Sequence, residues 1–348
     1  MAMNIVEATR TVVGGIDTHG EVHVAAALDE LGAHLGTESF SADASGYAEL
    51  VRWLEGFGPV AKVGVEGTGS YGAGLNRFLA RSGIAVVEVD RQDRQDRRRT
   101  GKSDPLDALA AARAALSGKA SGLAKSRDGW VEALRVLLVA KRSARVSRIK
   151  ALTQMRQIVY SAPEELRAML KGLPISVFVA RCQGLRPSRS TDAVTAATKT
   201  SLSSLARRVA DLEDELERLD AMITPLVRAG APELLAITGV GIDTAATLLV
   251  AAGDNPERLK SEAAWAHLCG VAPLKASSGR VTRHRFNPGG NRQANSALWH
   301  IVITRLASDP DTRAYMERRQ KEGLSKCEVI RVLKRYVARQ VYPALPRR

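Results

Sequence analysis

Residues 11–29 read TVVGGIDTHGEVHVAAALD. Two short, largely apolar runs, TVVGGID and EVHVAAALD, flank the turn-prone THG at 18–20, which is the pattern of a β-hairpin. Outward from it, a further strand is expected around Gly36–Phe40. SGYAELVRWLEGFG (45–58) then places Tyr47, Leu50, Val51 and Leu54 on one helical face, with Ser45 as the expected cap. AKVGVEG (61–67) reads as a strand, YGAGLNRFLARSG (71–83) as a helix ending at Gly83, and IAVVEVD (84–90) as a buried strand. After a basic link, RQDRQDRRRTGKS, the segment DPLDALAAARAALSG (104–118) starts as helices do, with Pro105 in the first turn and acids around it. Strands alternating with helices predict an α/β domain.

The chain has 348 residues, enough for two or three domains. Hydrophobic residues make up 45% and charged residues 25%, values that exclude global disorder. The net charge is +14, with a pI near 10.0, which favours a polyanionic partner, either nucleic acid or an anionic membrane. No run approaches the roughly 20 apolar residues of a membrane helix, and the first residues lack the plan of a signal peptide, so DNA or RNA is the expected partner. Cys182, Cys269 and Cys327 are far apart and odd in number, which predicts neither disulfides nor structural zinc and fits the cytoplasm.

The middle of the chain is long and helical. Leu202, Leu205, Val209, Leu212, Leu216, Leu219, Ile223 and Leu226 alternate steps of three and four, a heptad stripe with one apolar seam. Its partner is either an upstream helix over about 130–160 or a second subunit, and periodicity leaves both open. The stretch 173–193 reads as an irregular connection. From Ala231 a mainly helical region follows, interrupted by SSGRVTRHRFNPGGNRQ (277–293) and closed by a basic helix. Three domains are expected: 1–125, 126–230 and 231–348.

Four acids stand out in the first of these. Asp17 and Glu66 fall at the ends of expected strands, where α/β sheets collect their sites, and Asp104 and Asp107 open a helix three residues apart, hence on one face. Any one such acid is ordinarily a turn former or a cap. Four hard oxygen donors in one region suit Mg²⁺ or Mn²⁺.

GIDTHGEVH (15–23), VEGTGSYG (65–72) and KSDPLDA (102–108) resemble, in order, the three acidic motifs of the insertion-sequence transposases. These are RNA-guided recombinases related to Piv-type DNA invertases, with a ribonuclease-H-like, RuvC-like domain bearing an Asp-Glu-Asp-Asp set. The resemblance implies that Asp17, Glu66, Asp104 and Asp107 are catalytic and bind metal. Family members often carry a Lys shortly after the first Asp, where this chain has THGEVH.

In the last third, ITGVGIDTAATLL (237–249) has the pattern of a helix–hairpin–helix, whose turn at Gly239 and Gly241 would let backbone amides hold a DNA phosphate; the alternative is a plain helix–helix connection. Ser277 and Ser278 precede Arg280, Arg283, His284, Arg285 and Arg292, a hydroxyl pair beside positive charge. A serine pair in a loop is ordinarily a turn. GVAPLKASSG, followed by a Gly-Asn and a helix, resembles the family's C-terminal segment, and its spacing implies that Ser278 is the nucleophile, with Ser277 the alternative.

Between Arg135 and Arg156 lie seven Lys or Arg and no acid, with Lys141, Arg145, Arg148 and Arg156 along one helical face. Uncompensated charge of one sign predicts a track for a phosphate backbone. Arg91, Arg94 and Arg97–Arg99 form a second patch. Aromatic residues are only 4%, too few to read bases by stacking. That agrees with the family resemblance, which implies a guide RNA encoded by the element and pairing with DNA. The function expected is therefore an RNA-guided DNA transposase or recombinase that excises and integrates its element as a homo-oligomer. The alternatives are a metal-dependent nuclease or junction resolvase using water, and a decayed transposase that binds nucleic acid without catalysis.

Overall fold

The computed structural model describes residues 11–89, 103–120, 122–187, 192–275, 284–285 and 287–346. They form two compact units, one running to Glu132 and including Ala252–Ala264, the other built from Ala133–Ala251 and Trp265–Pro346.

The first unit is an α/β layer structure. Strands β1 (Val12–Thr18), β2 (Val22–Asp29) and β3 (His34–Ser41) run antiparallel, and β4 (Val60–Glu66) and β5 (Val86–Val89) extend the sheet parallel to β1. A short β6 (Gly122–Leu123) closes the order β3-β2-β1-β4-β5-β6. The 11–29 hairpin therefore forms, and β1 lies inside the sheet, buried along its whole length. Helices α1 (Ala44–Glu55) and α2 (Ala73–Arg81) cover one face, where Ile16, Val63, Val65, Leu50, Leu54, Leu75 and Leu79 make the core. Asp43, two residues ahead of the expected Ser45, caps α1: its carboxylate accepts from the Ser45 and Gly46 amides at 3.0 and 2.9 Å.

Helix α3 (Asp104–Leu116) lies on the other face, and glycine permits it. Because strand side chains alternate, Ile16, Val63 and Val65 face α1 and α2 while Gly15 and Gly64 face α3. A Cβ on Gly15 would sit 2.0 Å from the Ala112 amide nitrogen and 2.3 Å from the Ala108 carbonyl oxygen. One on Gly64 would sit 2.6 Å from the Ala111 carbonyl oxygen. The helix answers with small residues of its own, burying Ala108, Ala111, Ala112 and Ala115.

A segment distant in sequence completes this unit. Asp254 accepts from the amides of Val131 and Glu132 at 2.8 and 3.2 Å, capping helix α4 (Trp130–Tyr160) from more than 120 residues away. Asn255 donates to the Ala124 carbonyl at 2.9 Å and accepts from the Ser126 amide at 3.2 Å.

In the second unit α4 packs antiparallel to the long helix α7 (Ala193–Gly230), so the heptad stripe has a partner within the chain. Ala151, Leu152, Met155 and Val159 meet Leu202, Ala206 and Val209 near one end. Toward the other, Arg148 Nε donates to Glu213 at 2.8 Å and Lys141 pairs with Asp220 and Asp243. The segment expected to be irregular contains a helix, α6 (Ile175–Gln183), preceded by α5 (Glu164–Leu170). Phe178, Val179 and Cys182 join the α4–α7 core, and this burial is what orders the segment. Burial also pushes the Cys182 thiol up to about 11, which keeps it an inert core side chain. The rest of the unit is mainly helical: α8 (Pro232–Leu235), α9 (Ile242–Ala252), α10 (Glu262–Leu268), α11 (Arg292–Ser308), α12 (Pro310–Lys321) and α13 (Lys326–Val341), with a small hairpin of β7 (Leu274–Lys275) and β8 (His284–Arg285). No helix among the described residues is long and apolar enough to cross a membrane.

Gly15→Ala is expected to cost about 3 kcal/mol in denaturant unfolding, because a methyl there meets backbone that no rotamer change can move. Lys141→Ala is expected to cost about 1–3 kcal/mol, since Lys141 is 4% exposed while its two carboxylate partners are half exposed and can rehydrate. A third expectation concerns His23 of β2, which is fully buried and stacks on Tyr47 at 5.6 Å. Among the described residues no hydrogen bond of ordinary geometry reaches its ring nitrogens. Burial pulls its pKa below the usual 6.5, His19 acts in the same direction, and Asp17 opposes both. The folded imidazole takes up its proton at lower pH than the unfolded one, so stability is lost as pH falls through 6.5. Between pH 7.5 and 5.5 the wild type should lose more stability than His23→Phe in paired unfolding curves.

Candidate active site

Strands β1 and β4 are parallel and pair Ile16 with Val65, so Asp17 and Glu66 follow side by side on the face that carries Gly15 and Gly64. That is the α3 face. Helix α3 begins there with Asp104 and Asp107 in its first turn, and its close seat on the two glycines delivers both acids to the strand ends. Four acids far apart in sequence thus collect at one edge of the first unit. Asp17, Glu66 and Asp107 are buried, Asp104 half exposed. Thr18 Oγ1 donates to the Glu66 carbonyl at 2.8 Å, tying the two strand ends together. Gly67, at φ +78°, turns the chain away immediately after Glu66, a left-handed conformation that L side chains rarely adopt.

A fifth side chain enters the cluster from the β1–β2 turn. His19 Nε2 lies 3.0 Å from Asp17 Oδ2 and 3.5 Å from Asp104 Oδ1. Donor atoms of Asp17, His19 and Asp104 all fall within 4.8 Å of one another, which suits a small divalent ion. Sequence reasoning missed His19. The signal was a titratable, metal-ligating residue type two residues after the first acid, in the turn that follows β1.

The serine stretch hangs between β7 and β8. Ser277, Ser278, Arg280 and Arg283 lie outside the described residues, and Arg285 is described by its backbone alone, which pairs with Leu274. The base of the hairpin is tightly built. A Cβ on Gly290 would lie 2.3 Å from the Gly270 Cα, so two loop segments cross with no room for a side chain. Asn295 of α11 donates to the Cys269 and Gly270 carbonyls at 2.9 and 3.2 Å and accepts from Lys334 at 2.8 Å. Arg292 is exposed in the first turn of α11.

The GVG turn joins the single-turn α8 to α9. Gly239 takes φ +80° and packs against the α11 backbone, where its Cβ would meet the Ile301 carbonyl oxygen at 3.1 Å. The Gly241 amide, expected to hold phosphate, donates to Thr244 Oγ1 at 3.0 Å, and the Val240 amide to the Ile237 carbonyl at 3.0 Å.

The charge on the basic face of α4 is partly compensated. Lys141 is buried between Asp220 and Asp243, Arg145 Nη2 reaches Asp243 at 2.8 Å, and Arg148 is held by Glu213. Burial raises the Asp243 carboxyl, but hydrogen bonds from Lys141 and Arg145 outweigh it and hold its pKa below the ordinary range. The counter-charges come from α7 and α9, out of sight of a window along α4. Arg156 is exposed. The patch at Arg91, Arg94 and Arg97–Arg99 lies outside the described residues.

Residues 14–162 match a family model described as a transposase, of the IS110 type with an Asp-Glu-Asp-Asp set, and residues 231–317 match a second described as the IS116/IS110/IS902 transposase family. Among curated relatives, a 43.6 kDa protein of the insertion element IS110 from Streptomyces coelicolor is 33% identical over 36% of this chain and 32% of its own length. A 42 kDa protein of the insertion element IS900 from Mycobacterium paratuberculosis is 28% identical over 39% of this chain and 35% of its own. The chain thus spans about a third of the length of the curated relatives it matches. The two family matches fall on the segment that gathers the acids and on the segment that carries the serine hairpin, and together cover 236 of the 348 residues, so this chain belongs to the IS110 family of insertion-sequence transposases.

Proposed function

We propose that this protein cuts and rejoins DNA at the ends of an insertion sequence, with Ser278 as nucleophile and Asp17, Glu66, Asp104 and Asp107 as the acids that hold a divalent ion. The observation that carries the reading is the convergence of Asp17, Glu66 and the first turn of α3 on one edge of the sheet, in a chain of net charge +14. The donor set is dominated by carboxylate oxygen and fits Mg²⁺ or Mn²⁺. When bound, such an ion withdraws charge from the scissile phosphate and holds it in place.

In this reading Ser278 gives up its Oγ proton and attacks phosphorus, forming a phosphoserine link and releasing a 3′-hydroxyl. A 3′-hydroxyl on another strand then reverses the step and frees the serine. The crossing of Gly270 with Gly290 and the clamp by Asn295 build the described residues on either side of the serine segment tightly. Exposed Arg156 and Arg292, with Arg280, Arg283 and Arg285, are among the cations that contact the phosphate backbone in this reading. Few aromatic residues and no free basic track along α4 leave sequence choice to base pairing, hence to an element-encoded guide RNA. Strand exchange between paired DNAs further calls for several copies of the chain around them, as a homo-oligomer. Val136, Val139, Val146 and Ile149 are exposed along α4 and offer an apolar contact for one.

The test is a DNA cleavage assay with the full chain, its co-purified RNA and flanking DNA, run on denaturing gels that retain protein-linked strands. Wild type and Ser277→Ala should give a covalent adduct, Ser278→Ala none, and Asp17→Asn neither adduct nor nick. Cleavage that persists without an adduct in Ser278→Ala would replace this reading with a water-using nuclease. DNA binding with products unchanged by both variants would leave a binding protein. Arg156→Ala should lower the slope of log affinity against log salt by about one, a step that Lys141→Ala should not produce.

A further inference from the structure

Asp17, His19 and Asp104 come from three elements, a strand, a turn and a helix start, and His19 is the one whose position no acidic motif explains. Its side chain is 46% exposed, so packing alone does not orient the ring. Yet Nε2 points into the notch between two carboxylates, at 3.0 Å from one and 3.5 Å from the other. Adjacent ligands about 2.1 Å from a single ion in octahedral geometry stand about 3 Å apart. The His19 nitrogen therefore stands from each carboxylate oxygen at roughly the spacing expected of neighbouring donors on one ion.

Donor chemistry then bears on the choice of ion. Mg²⁺ is hard, holds its waters and favours oxygen, whereas Mn²⁺ accepts imidazole beside carboxylates. We infer that His19 is a ligand of the metal centre, giving it a mixed nitrogen and oxygen set with Asp17 and Asp104 and a preference for Mn²⁺ over Mg²⁺. This rests on the reading of the acids as a metal site and adds to it a side chain outside the Asp-Glu-Asp-Asp set.

The experiment titrates Mn²⁺ into the full chain and follows it by EPR, with Mg²⁺ as competitor. Pulsed EPR on the bound ion reads nitrogen directly. Wild type should show a ¹⁴N coupling of imidazole type. His19→Gln should lose that coupling, bind Mn²⁺ at least about tenfold more weakly, and move little in Mg²⁺ affinity, so that the preference collapses. His19→Ala should match it, which separates loss of the nitrogen from any effect of the new amide. Bound Mn²⁺ with no ¹⁴N coupling in wild type, or a coupling that survives in both variants, would overturn the assignment of His19 while leaving the acids as the site. Mn²⁺ that fails to bind, or binds as well to Asp17→Asn, would overturn the metal centre and the His19 ligand together.

Discussion

The close seat of α3 on β1 and β4 is the contact on which the rest of the first unit depends. Two strands and a helix approach until backbone meets backbone, which is possible only where the strands present Gly15 and Gly64 and the helix presents alanine. The stabilisation comes less from buried area, since alanine offers little, than from dense contact with no room for water. The geometry also aims the helix. Its first turn carries the positive end of the helix dipole and two acids to the strand ends, where the field of the exposed amides offsets part of the repulsion among the carboxylates gathered there.

A different constraint organises the second unit. Helices α4 and α7 run antiparallel and meet through apolar contacts at one end and ion pairs toward the other. Burial of Lys141 would be costly alone, and the two aspartates that receive it come from different helices, so the pairing fixes the register of α7 and α9 on α4. A polar contact of this kind adds little net stability but disfavours a slipped packing, in which a lysine would be buried with no acid beside it.

Much of this was legible in the sequence because it is local. The hairpin at 11–29 and the alternation that follows come from patterns of two and of 3.6 residues, and the order of the acids from the resemblance of their motifs to the family's. What was not legible depends on distant partners. Ser45 looked like a cap because the window began there, while Asp43 does the capping. The 173–193 stretch looked irregular because Pro174, Gly184 and Pro187 break it into short pieces with no clear period, and its apolar residues Phe178, Val179 and Cys182 pack as a helix against α4 and α7. Asp254 reads as an ordinary loop acid until α4 is seen to start beside it. His19 reads as a turn residue until α3 brings Asp104 within reach.

Lys141, Arg145 and Arg148 carry the same lesson furthest. Seven cations and no acid between Arg135 and Arg156 look like an exposed polyanion track, yet Lys141, Arg145 and Arg148 each meet an acid from another helix, because compensation is a property of three dimensions. The net charge of +14 is unaffected by that pairing. Each ion pair that α4 makes within the fold uses an acid, so the excess of cations must stand elsewhere. Among the described residues Arg156 and Arg292 are exposed, and the sequence carries further arginines at 91–99, ahead of Asp104, and at 280–285, after Ser278. An excess of positive charge of this size draws polyanions to the protein surface, and salt would screen that attraction.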